Sequence, residues 1–163
     1  MSDWRQWAAP VAAIVAAVPA AHATQYLTIS QASQQAFPGA SFVAAHVQLQ
    51  TGQKQHVWKA MSGSQVIGYV YFDQVIGKHL YIDYAVVVEP GGRVRRVEIL
   101  EYRESYGGEV RGANWLSQFV GKTQASPVAL EKDIRNISGA TLSARHIAEG
   151  VKKVLSVHAA YFR

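Results

Sequence analysis

Apolar and polar positions are most sharply patterned between residues 79 and 102. Leu80, Tyr81, Ile82, Tyr84, Ala85, Val86, Val87 and Val88 form a strand-like run, and Glu89-Pro90-Gly91-Gly92 supplies turn residues. The chain returns over 94–102 with Val94, Val97, Ile99 and Leu100, so this stretch predicts a β-hairpin. Upstream, looser strand patterns occupy 41–50, 55–61 and 65–75, the last rich in Val, Ile, Tyr and Phe. Ahead of them a short helix opens near Leu27, with Thr28 or Ser30 as its cap, and ends at Phe37-Pro38-Gly39. Downstream the period changes to that of a helix. Trp115, Leu116 and Phe119 share one face of a segment at 113–120, which Gly121 stops. A last helix over about 142–161 carries Ile147, Val151, Val154 and Leu155 on one stripe, with Lys152 and Lys153 away from it. No repeat or linker divides these elements. The pattern predicts one α+β domain, a mostly antiparallel sheet with packed helices.

The N-terminus is different in kind. Residues 7–21 are an alanine-rich apolar run without charge, preceded by Arg5 and followed by Ala21-His22-Ala23, a small-x-small site. This is the form of a secretory signal cleaved after Ala23, which makes 1–23 a signal peptide and 24–163 the functional domain. The alternative is an uncleaved N-terminal anchor, although the run is short for a full span. Pro10 and Pro19 bracket the run and oppose a buried core helix. Either reading puts the domain in the periplasm, or at the extracytoplasmic face of the cytoplasmic membrane.

Composition narrows the chemistry. The 163 residues carry a formal net charge of +5, but the basic residues are scattered. The densest group, Arg93, Arg95 and Arg96, sits beside the hairpin turn and fits a solvated strand face better than a nucleic-acid surface. The balance favours anionic membrane surfaces or acidic redox partners. The absence of cysteine excludes Cys-ligated iron–sulfur clusters, thioether-linked haem, thiol redox chemistry and disulfides. No two of the six His residues have H-x-H or H-E-x-x-H spacing, so a metal site is not expected. Nucleophile-elbow, P-loop and dinucleotide-binding motifs are also missing.

Two segments carry candidate chemistry. In Asp133-Ile134-Arg135-Asn136-Ile137-Ser138-Gly139-Ala140-Thr141, a Ser-Gly-Ala-Thr turn opens the last helix. Free backbone N–H groups and the positive end of the helix dipole suit a phosphate there. Equally, Ser138 or Thr141 could serve only as a helix cap. The second segment is Glu104-Ser105-Tyr106-Gly107-Gly108, just past a strand end, followed by Trp115-Leu116-Ser117-Gln118-Phe119-Val120-Gly121-Lys122. It offers a carboxylate, hydroxyls and a glycine pair in a position where binding groups are common.

Taken together, these segments resemble the FMN-binding domain family, which includes the C subunit of the sodium-translocating quinone reductase and the G subunit of the Rnf complex. Ser138-Gly139-Ala140-Thr141 is similar to the flavinylation motif of that family. Glu104, Ser105 and Gly107, with Trp115, Gln118, Phe119, Gly121 and Lys122, follow its E-T-P-G and W-x-x-Q-F-x-G-K layout in the same order. Tyr106 replaces the usual Pro, and Arg135 stands where many members carry an acidic residue. The resemblance implies FMN held on Thr141 by a phosphoester, installed by a flavin transferase. Ser138, Gly139, Ala140 and Leu142 would accompany the phosphate. Glu104, Ser105 and Gly107 would lie along the isoalloxazine, with Trp115 and Tyr102 as candidates to stack on it. It further implies an electron carrier between membrane redox proteins, with no nucleic-acid partner and no substrate site of its own. A flavin-dependent reductase acting on a small extracytoplasmic acceptor is the alternative.

Overall fold

The computed structural model describes residues 23–162, so the apolar run read as signal or anchor lies outside the described residues. Strand β1 is Thr24–Gln25 and helix α1 is Ile29–Ala36. Five hairpin-linked strands follow: β2 Ser41–Gln48, β3 Lys54–Ser62, β4 Gln65–Ile76, β5 Tyr81–Val88 and β6 Val94–Tyr102. A 3-10 turn at Gly108–Arg111, helix α2 at Ala113–Leu116 and a second 3-10 turn at Ser117–Phe119 lead into the long helix α3, Thr141–Tyr161. The strands form a single antiparallel sheet in the order β1-β6-β5-β4-β3-β2.

The sequence expectations for β2 to β6 hold to within a few residues. Two differences have simple causes. β1 is only two residues long and pairs Thr24 with Tyr102 and Gln25 with Glu101, too short to leave a period in the sequence. The segment at 113–120 is a single turn of α-helix continued as 3-10.

Strand alternation divides the interior into two layers. Tyr69, Tyr71, Ile82, Tyr84 and Val86 face α3 and the α2 region. Ala60, Val70, Phe72, Ala85 and Val87 face α1. The expected α3 stripe of Ile147, Val151, Val154 and Leu155 is buried. Both helices press closely on the sheet. A Cβ on Gly68 would lie 2.1 Å from the Phe37 ring, and one on Gly150 would lie 2.1 Å from the Tyr84 hydroxyl.

Polar contacts fix α3 along its length. Near its start, His146 Nδ1 lies 2.6 Å from the Ile76 carbonyl. In the middle, Tyr84 donates to Asp73 at 3.1 Å, and Lys153 pairs with the same carboxylate. Burial, then the Asp73 charge, push the Tyr84 phenol well up, so it stays a neutral donor. At the far end the buried His158 lies 2.8 Å from the Tyr71 hydroxyl through Nδ1 and 3.2 Å from the Pro90 carbonyl through Nε2. A carbonyl only accepts, so Nε2 carries the proton and Nδ1 accepts from Tyr71. Register along the sheet is thereby set for the whole helix, and with it the place where the helix begins.

Gly150→Ala tests this seating. Its methyl collides with Tyr84, so the variant loses about 1–3 kcal/mol from overpacking, against about 1 kcal/mol of improved helix propensity. A lowered thermal midpoint by circular dichroism is the expected outcome.

Candidate functional site

At the end of the sheet where β6 stops and α3 starts, three loops converge. The first is the β4–β5 turn at 77–80. The second, 103–107, is fastened to it: Glu104 Oε1 accepts from the backbone N–H of His79 and, at 2.8 Å, from that of Leu80. Burial pushes the Glu104 carboxyl up, but the N–H groups of His79, Leu80 and Lys78 outweigh it and hold it below the ordinary carboxylate range. Gly77 leaves the space, since a Cβ there would come within 2.7 Å of the same carboxylate oxygen. On its other side the loop is held by Tyr102, whose hydroxyl donates to the Tyr106 carbonyl. The third loop is the turn from Ile137 to Ala140, closed by Ala140 N–H to the Ile137 carbonyl at 3.0 Å. Gly139 has φ +83°, as the third position of such a turn requires. Loops two and three touch at Gly107, where a Cβ would be 3.0 Å from both Ala140 Cβ and the Tyr102 hydroxyl.

Between them lies a cavity of about 470 Å³ walled by Lys78, His79, the 104–107 loop and residues 139–143. Volume and mixed lining suit a cofactor-sized ligand. Seven of the eight residues singled out in the sequence line it: Glu104, Ser105, Gly107, Gly139, Ala140, Thr141 and Leu142. Ser138 is exposed and off the wall. The Glu104 carboxylate is engaged by the β4–β5 turn through Oε1. Lys78 and His79 were not legible as site residues, since only the pairing of β4 with β5 brings their turn here.

The start of α3 settles one open alternative. Its N-cap is Ala140, at φ −131° and ψ 26°, and no side chain caps the helix. Neither Ser138 nor Thr141 takes that role. Thr141 is the first helical residue, and the first intrahelical bond runs from Ala144 N–H to the Ala140 carbonyl at 2.9 Å. Among the described residues the N–H groups of Thr141, Leu142 and Ser143 have no acceptor. They leave partial positive charge at the cavity wall.

What holds such an open helix end is the second motif. Trp115 Nε1 donates to the Arg135 carbonyl at 2.7 Å, and Gln118 Oε1 accepts from Arg135 N–H at 2.8 Å. Lys122 pairs with Asp133 at 3.0 Å, and Asp133 also accepts from Ala129 and Val128 N–H at 3.0 and 3.2 Å. Burial raises the Asp133 carboxyl, but Ala129 N–H, Lys122 and Val128 N–H together hold it below its usual range. Trp115 is buried, edge-on to Phe119, and Tyr102 is buried beneath the 103–107 loop. Neither ring lines the cavity, so the expectation that they could stack on a flavin gives way to packing and fastening roles. His146, in the second turn of α3, lies against the Ile76 carbonyl. Both polar backbone groups of Arg135 serve the staple, and its side chain is exposed.

Residues 77–156 match the family model of the FMN-binding domain. Among solved structures, the crystal structure of NqrC from Shewanella oneidensis aligns with 19% identity and a TM-score of 0.49, over 69% of this chain and 61% of that one. The chain thus spans about three fifths of the length of that protein. No curated protein matches.

Gln118→Ala removes the acceptor of an exposed loop N–H and is expected to cost about 0.5–1.5 kcal/mol, with faster hydrogen exchange at the Arg135 amide. For Glu104 the sign is set by the lowered folded-state value. Its contribution is complete above the unfolded carboxyl value, about 4.3, and is lost as pH falls through the lower folded value. Thermal midpoints measured from pH 6 to 2 should therefore fall less steeply in acid for Glu104→Gln than for the parent protein.

Proposed function

We propose, from the premise that residues 77–156 belong to the FMN-binding domain family, that this protein carries FMN covalently on Thr141 and relays electrons between membrane-associated redox partners. The observation that carries this reading is the uncapped start of α3. Thr141 is the first helical residue, stands on the cavity wall, and is followed by N–H groups with no acceptor among the described residues. A phosphodiester retains one negative charge, and the helix end supplies donors and a dipole to meet it. In the attachment step, catalysed by a flavin transferase, Thr141 Oγ1 would bond to the flavin-side phosphorus of a flavin dinucleotide as its phosphoanhydride bond breaks, the nucleoside monophosphate leaving and the hydroxyl proton being released.

The residues present fit the group. Nothing lies within 4 Å of where a Cβ of Gly139 would stand, so the backbone beside Thr141 is open to close approach. The pinned 104–107 loop offers peptide groups along one wall, and Leu142 an apolar surface on another. Bound there, flavin supplies reversible electron transfer, while the protein sets its surroundings. Arg135 departs from the acidic residue common in the family only in its exposed side chain, since the loop is fastened through its backbone. Export follows from the N-terminal apolar run, with residues 24–163 facing the periplasm or held at the outer face of the cytoplasmic membrane. A covalent tether suits that compartment, because lost cofactor is not replaced from a local pool.

Intact-mass spectrometry after co-expression with a flavin transferase tests the attachment. The parent protein should gain the mass of FMN less one water, Thr141→Ser should retain part of it, and Thr141→Ala should gain nothing. An adduct that persists in Thr141→Ala places the linkage elsewhere.

A further inference from the structure

Neither Trp115 nor Tyr102 lines the cavity, and among the described residues of its wall Tyr106 carries the benzene ring. That side chain is 87% exposed, the most of any large apolar residue described. Its ring makes no hydrogen bond or ring contact among the described residues. The backbone beneath it is fixed by contrast. The Tyr106 carbonyl accepts from the Tyr102 hydroxyl, and the Gly107 carbonyl accepts from Val110 N–H at 3.3 Å. A Cβ on Gly107 would lie 3.0 Å from Ala140 Cβ, so the loop rests against the residue that precedes Thr141. Tyr106 and Thr141 are each one residue from this contact, and both belong to the cavity wall.

Tyr106 also stands between two hollows. Residues 105–107 line a second, more open one of about 840 Å³, shared with Tyr26, Leu27, Ile99, Glu109 and Arg111. A side chain on a fixed Cα changes position by rotation about its own bonds, and exposed rotamers exchange within nanoseconds. Across the cavity, α3 contributes Leu142, which is 43% exposed. Two exposed apolar side chains thus belong to the wall, one from the loop and one from the first turn of the helix. A planar fused ring entering there removes apolar surface of both from water. Proline, which the family layout has in place of Tyr106, offers no such ring.

We propose that Tyr106 is the aromatic cover of the flavin: its ring turns over the loaded cavity, stacks on the isoalloxazine and shields that face from water. The inference rests on the FMN reading of the cavity and assigns within it a role that Trp115 and Tyr102 do not fill. Stacking adds to simple area burial. The exposed ring breaks no contact in making the stack and gives up only rotamer freedom. The pinned backbone keeps the cover beside the tether, and the free side chain lets it open for the cofactor to enter.

The test follows flavin fluorescence in the parent protein, Tyr106→Phe and Tyr106→Ser, each in two preparations. One is flavinylated by co-expression with a transferase, its adduct on Thr141 verified by intact mass. The other is unmodified and titrated with free FMN. A phenol stacked on a flavin quenches its emission, whereas a phenyl ring covers it with far less quenching. Parent emission should be weak, and both variants should be brighter. Collisional quenching by acrylamide reads access from solvent, and it should be faster in Tyr106→Ser alone. Free FMN should bind Tyr106→Ser about three- to tenfold more weakly, the effect of one lost aromatic pair, and Tyr106→Phe as it binds the parent. Thermal midpoints without flavin should match in all three, since the side chain lies in solvent. No adduct on Thr141, with this pattern kept in the free-FMN titration, would overturn the attachment and support the cover. Equal emission and equal acrylamide access in all three proteins, wherever flavin is bound, would overturn the cover and leave the attachment intact. Absence of flavin from both preparations would overturn both.

Discussion

The first N–H groups of α3 have no capping side chain, and most of the surrounding structure serves to keep that helix end open without letting it fray. A cap contributes about 0.5–2 kcal/mol to a helix, so leaving it out needs support from elsewhere. Here the support is tertiary. Ala144 N–H to the Ala140 carbonyl begins the helix, Gly139 turns the chain into it, and the preceding loop is stapled at Asp133 and Arg135 by Lys122, Gln118 and Trp115. Behind the first turn, Tyr84, Lys153 and His158 prevent the helix from sliding along its axis. The donors at the start of the helix are free because the rest of the helix is not.

The same economy governs charge. Asp73, Asp83, Glu98, Glu101, Glu104 and Asp133 each take an internal cation or backbone N–H groups. The folded domain therefore shows the solvent more of its positive charge than its negative charge. A net charge of +5 spread along the sequence says little about partners. Folding redistributes that charge near the cavity: Glu104 is consumed, Lys78 and Arg145 have no ion-pair partner among the described residues, and Glu109 stays exposed in the same loop. Local asymmetry of this kind steers encounters more than net charge does.

How much of this was legible beforehand depends on how local each feature is. The β5–β6 hairpin and the α3 stripe are set by neighbouring residues, and the sequence pattern predicts them. The eight candidate residues came from two short motifs, and seven share one cavity because β6 ends and α3 starts at the same end of the sheet. Three features were hidden. β1 is two residues long, and pairing rather than propensity makes it a strand. Lys78 and His79 reach the site only through the β4–β5 register. The absence of a cap on α3 cannot be seen in Ser-Gly-Ala-Thr, which contains two residues that cap helices well. Their hydroxyls are denied that role by the backbone: Ser138 sits in the turn two residues before the N-cap, and Thr141 is already inside the helix.

That placement bears on the proposed attachment, because it leaves the threonine hydroxyl outside the capping role. A capping hydroxyl is spent on a backbone N–H, and modifying it would remove the cap. At the first helical position the hydroxyl has no such duty, so a bond formed there costs the fold nothing it was using. The N–H groups left over would then face the charge that the proposed phosphodiester introduces. Helix start, open cavity and unspent hydroxyl thus follow from one displacement of the cap position by a single residue, from Thr141 to Ala140.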